Sequence, residues 1–188
     1  MELPTLPFAS KKEWTNWLAR QHDKSAGIWM KIAKKGTGVA SVTYEEALDV
    51  ALCYGWIDGQ KAGFDSQYWL QKFTPRGPKS IWSQINREKS ERLIASGEMK
   101  PPGFRAIEAA KQNGRWDNAY AGQKTIVVPD DFQSELDDHP GAKAFFGTLN
   151  SVNRYAILFR IQNVKKPETR SKRIRQFIEM LERGEKLH

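Results

Sequence analysis

A chain of 188 residues with 39% hydrophobic and 28% charged residues is long enough to bury a core and too apolar to be disordered. No apolar run reaches the roughly eighteen residues of a membrane span. The opening Met1-Glu2-Leu3-Pro4 has neither the basic nor the apolar region of a signal peptide, so the expected location is the cytoplasm.

One cysteine excludes an internal disulfide, and three scattered histidines lack metal-ligand spacing, so neither a metal nor a cofactor is expected. The net charge of +8 is uneven: Arg160, Lys165, Lys166, Arg170, Lys172, Arg173 and Arg175 face only Glu168 in that segment. Such a field attracts nucleic acid or acidic partners, and it also serves plain solubility.

Ser10-Lys11-Lys12-Glu13 has the spacing of a capping box, and Trp14, Trp17 and Leu18 then share one face, which predicts a first helix from Ser10. Ile28, Met30 and Ile32 alternate with Trp29 and Lys31, which predicts a strand. Lys34-Lys35-Gly36-Thr37-Gly38 is a basic loop without the spacing of a phosphate-binding P-loop. Thr43 and Glu46 form a second capping box for a helix bearing Leu48, Ala51 and Leu52, which stops at Gly55. Cys53 falls inside that helix and reads as a small buried hydrophobe.

Residues 56–62 and 67–73 read as two strands joined by a hairpin loop, giving with Ile28–Ala33 a small antiparallel sheet. A helix is expected to begin at Ser80 and close at Gly97, and a shorter one carries Phe104, Ile107 and Ala110. Residues 115–128 read as a junction. Beyond it the pattern is helical throughout, with an Asp130 or Asp131 cap, and Ile174, Phe177, Ile178 and Leu181 form the last apolar face. The expected fold is therefore α+β: a small antiparallel sheet packed with helices over residues 1–118, followed by a helical C-terminal unit over residues 129–188.

No nucleophile-elbow motif, Cys–His pair or His-x-x-x-His occurs, so hydrolase and zinc chemistry lack support. Asp58 is the one catalytic candidate, because Trp56 and Ile57 beside it would desolvate a carboxyl; the alternative is that it accepts turn amides or pairs with a base. Trp56, Trp69 and Trp82 would stack a planar or sugar-like ligand, while Arg76, Lys79 and Arg87 hold its anionic end. Pro75, Gly77 and Pro78 stiffen the loop to Ser80, where helix-start amides would add to the same anion site. The expected ligand-binding set is thus Trp56, Asp58, Trp69, Arg76, Lys79, Ser80, Trp82 and Arg87.

Tyr54-Gly55-Trp56-Ile57-Asp58-Gly59, Phe73-Thr74-Pro75-Arg76, Ser80-Ile81-Trp82-Ser83-Gln84-Ile85-Asn86 and Val164-Lys165-Lys166-Pro167-Glu168-Thr169-Arg170-Ser171-Lys172-Arg173-Ile174 together resemble the YdeI/OmpD-associated family across nearly the whole chain. The resemblance implies a bacterial protein linked by name to bacteriocin or antimicrobial-peptide protection and to an outer-membrane porin, with the C-terminal helices as the family's closing pair. It carries over no catalytic residue. The lack of an export signal argues against direct contact with a porin.

Three functions follow as expectations. The leading one is a non-enzymatic stress-protection factor binding an anionic small molecule in the Trp/Arg cleft. The second is an enzyme acting on such a molecule through Asp58. The third is a weak nucleic-acid binder using Arg170, Lys172, Arg173 and Arg175.

Overall fold

The structure is a computed structural model describing residues 2–188, and it is α+β, with four strands and eight helices among the described residues. Two compact units divide the chain: the first runs to Trp82 and resumes over Asn86–Ala119, and the second comprises Ser83–Ile85 with Tyr120–His188.

In the first unit, β1 (Thr5–Pro7), β2 (Ile28–Ala33), β3 (Trp56–Gly63) and β4 (Tyr68–Pro75) form one sheet in the order β1-β2-β4-β3. The pairs β2–β4 and β3–β4 are antiparallel, as the sequence pattern predicts. The sheet as a whole is mixed, because β1 adds a parallel edge to β2. Three residues that follow Pro4 and end on Pro7 carry no alternating signal, so β1 is invisible to periodicity. A bulge interrupts the β3–β4 register between Asp58 and Lys61.

Two local motifs start the first helices. Ser10 Oγ accepts from the Glu13 amide at the head of α1 (Lys11–Gln21), and the Glu13 carboxylate accepts from Ala9 N. At α2 (Tyr44–Cys53) the Thr43–Glu46 capping box is complete, an arrangement worth about 1 kcal/mol. Gly55 then reverses the chain at φ 72, and a side chain there would also meet the Pro102 carbonyl oxygen at 2.9 Å.

Trp14, Leu18, Ile28, Met30, Leu52, Trp56 and Phe73 form the middle of the core. The indole N–H groups of Trp14 and Trp56 are satisfied by the carbonyls of Ala47 and His22, each at 3.0 Å, which removes the penalty of burying them.

The helix expected from Ser80 begins four residues later, as α3 (Gln84–Ala95). Ser80 is instead held in a turn by its amide bond to Gly77 O at 2.9 Å, while Gln84 N donates to Tyr120 O. On α2, Asp49 accepts from Lys89 at 3.0 Å and from Arg92 at 2.6 Å, both on α3. Burial pushes the Asp49 carboxyl up, but the hydrogen bonds from Arg92 and Lys89 outweigh it and hold the group below the usual carboxylate range. The next helix, α4 (Pro101–Gln112), begins on the two prolines, and its Gly103 abuts the end of α2.

The second unit holds α5 (Asp130–Asp138), α6 (Pro140–Thr148), α7 (Ser151–Gln162) and α8 (Pro167–Glu182) around Phe132, Leu136, Ile157, Ile161, Phe177 and Ile178. Neither Asp130 nor Asp131 caps α5; Pro129 takes that position. Asp131 binds Arg170 through both oxygens, at 2.5 and 2.9 Å, and this bond holds its carboxyl below the usual range.

Candidate functional site

The eight residues expected in one cleft lie in separate neighbourhoods of the first unit. Trp56 is core: it is 1% exposed and sits edge-on to Trp14 and Trp17, so its ring offers no face to a solute. Asp58 and Trp69 share a neighbour, Tyr44, the first residue of α2. The Tyr44 hydroxyl donates to Asp58 Oδ2 at 2.8 Å, and its ring meets Trp69 at 6.2 Å. Tyr44 and Trp69 line a cavity of about 350 Å³ whose far wall is the Lys34–Gly38 loop.

Arg76, Ser80 and Trp82 come together. The Arg76 guanidinium lies 3.6 Å from the centre of the Trp82 ring, and its Nη1 donates to Ile81 O at 3.2 Å and approaches Ser80 Oγ at 3.5 Å. The backbone amide of Arg76 is anchored on Gly55 O at 2.9 Å, which ties the loop to the glycine turn. These three residues, with Gly77, Pro78 and the Ala106–Asn113 face of α4, line a second cavity of about 130 Å³. Trp82 is itself backed by Trp116 at 4.8 Å, and Arg115 donates to the Pro78 carbonyl, so the rim is braced from outside. Arginine's planar, permanently charged guanidinium is the side chain whose shape and charge best match an oxyanion.

Lys79 and Arg87 do not line that cavity. Lys79 is exposed, and Arg87 turns toward the Trp116 carbonyl at 3.4 Å and Glu91 at 3.9 Å. Ser80 takes part through its side chain alone, because its amide already donates to Gly77. The expected helix dipole at Ser80 is therefore absent from the site. Arg115 and Trp116, in text that reads as loop, and Asn113 are the participants sequence reasoning missed; no motif marks them, since only folding brings α4 and the turn after it to the loop.

In the C-terminal basic segment, Arg170 is committed to Asp131 and to Ile161 O at 2.8 Å. Lys172 and Arg175 are exposed and Arg173 is half-buried. Among the described residues no group of metal-ligating side chains comes together, and no helix is long and apolar enough to cross a membrane.

Among known families, the model described as "Domain of unknown function (DUF8412)" matches residues 6–106. A second, described as "Bacteriocin-protection, YdeI or OmpD-Associated", matches residues 125–184. The resemblance read from the sequence thus holds over the C-terminal part, whereas the Tyr54–Gly59 and Ser80–Asn86 motifs fall within the first match. No curated protein and no solved structure matches the chain.

Proposed function

We propose, for a chain that belongs to the family described as Domain of unknown function (DUF8412), that it binds a small oxyanion between Arg76, Ser80 and Trp82 without chemically converting it. The observation that carries this reading is the guanidinium held 3.6 Å above the Trp82 ring at the wall of a cavity. Pro75 and Pro78 limit the loop's freedom, so little ordering accompanies binding. The second matched family is described as bacteriocin-protection, and a role in protecting a bacterium from antimicrobial peptides is the setting we infer for the site.

Binding is favoured over catalysis because Asp58, the one catalytic candidate, does not line this cavity and accepts a hydrogen bond from Tyr44.

Titration with inorganic phosphate and with sulfate tests the reading, using tryptophan emission and the thermal midpoint together. Emission should change with saturation, the midpoint should rise by mass action, and Arg76→Ala should lose both responses, each read against the variant's own unliganded baseline. An Arg76→Ala protein that titrates like the wild type, or a wild type inert to both anions and to small carboxylates, would reject the site.

A further inference from the structure

The sheet of the first unit has two unlike faces. Ile28, Met30, Ile32 and Phe73 point into the core. The register places Trp29 opposite Lys72, Lys31 opposite Leu70 and Ala33 opposite Tyr68 on the other face. All of these except Ala33 are bulky side chains, and all stay half-exposed in the folded chain. Phe64, in the hairpin between β3 and β4, extends the same surface and is 49% exposed.

Rings and ammonium groups interleave on this face. Lys31 Nζ lies 4.4 Å from the Phe64 ring centre and 5.8 Å from that of Tyr68, and Lys72 Nζ lies 5.8 Å from Trp29. No carboxylate occupies a paired position on this face among the described residues. Surface cation–ring contacts are weak, so the lysines can exchange them for a stronger anion. Three aromatic rings on a basic surface is the arrangement that meets unpaired bases, because every base has a π-face while a duplex hides it.

We propose that this face binds single-stranded nucleic acid, with bases stacking on Trp29 and Tyr68 and phosphates meeting Lys31 and Lys72. The site shares no residue with the Arg76 cleft or with the C-terminal basic segment.

Fluorescence anisotropy with a labelled oligothymidylate of about twelve nucleotides, and with a duplex of the same length, tests it. The single strand should bind more tightly, and the log affinity should fall with log salt at a slope of about −1.4 for two phosphate contacts. Trp29→Ala with Tyr68→Ala should weaken binding about tenfold or more and leave that slope in place. Lys31→Ala with Lys72→Ala changes only half-exposed lysines, so it tests the site even if the aromatic variant unfolds; it should flatten the slope toward zero. Lys172→Ala with Arg175→Ala should bind as the wild type does.

Equal affinity for the duplex, no binding at low salt, or loss with the C-terminal variant alone would overturn the proposal. Competition by a polyglutamate peptide as effective as by the oligonucleotide would assign the face to an acidic protein instead, and would overturn it equally.

Discussion

Gly103→Ala is the substitution for which helix propensity and packing predict opposite signs. In an exposed helix, replacing glycine by alanine stabilises by about 1 kcal/mol. Gly103 lies in the first turn of α4, where that turn meets the end of α2. A methyl carbon there would sit 2.5 Å from the Cys53 carbonyl oxygen and 2.8 Å from that of Leu52, and would also collide with Met99 Sδ. Non-bonded carbon contacts settle at about 3.5 Å or more, so α4 must withdraw by about 1 Å. Met99 can swing aside, but two backbone oxygens of a helix end cannot.

Overpacking of this kind costs about 1–3 kcal/mol, and rigid partners place this case at the upper end. After the propensity gain, the variant should be destabilised by about 2 kcal/mol, a fall of about 4–8 °C in midpoint for a chain of this size. Urea denaturation followed by tryptophan emission measures it directly, with calorimetry as the check. A midpoint unchanged or raised would mean that α4 does not seat against the α2 carbonyls as described.

Asp49→Asn should lower stability at neutral pH by about 1 kcal/mol, a value kept small because Arg92 is largely exposed. Because the folded carboxyl is held below its ordinary range, its contribution is complete above the unfolded pKa of about 4 and disappears as pH falls through the folded value. Urea midpoints of both proteins should therefore converge in acid, and a gap that widens there would reverse the assignment. Cys53 is 5% exposed, and burial pushes its thiol up to about 11. It should resist a thiol-reactive disulfide reagent at pH 8 in the native state and react at once in urea; rapid native labelling would contradict its burial.

What could be read from the sequence was what is decided locally. The Ser10 cap and the Thr43–Glu46 capping box need only four consecutive residues, and the alternation of Ile28, Met30 and Ile32 needs only a strand. The apolar face of α8 is equally self-contained. The start of α3 was not legible, because the bond of Gln84 N to Tyr120 O joins positions far apart in the chain. The tryptophans show the same limit. Trp56 and Trp82 sit in similar local text, yet one is sealed among Trp14 and Trp17 and the other carries a guanidinium at a cavity wall. Gly103 carries no local signal of its role, because the backbone atoms that demand it belong to α2.

The outer strands of the sheet bear on how copies of this chain behave when crowded together. A long, flat outer strand would present a row of open amides and carbonyls on which another copy could grow. Here one outer strand is β1, only three residues long and ended by Pro7, which has no amide hydrogen to offer. The other is β3, where the irregularity between Asp58 and Lys61 breaks the even spacing that templating needs. Neither side offers a foreign strand a regular run to extend, so the folded chain is protected against fibre growth from its sheet even at high concentration.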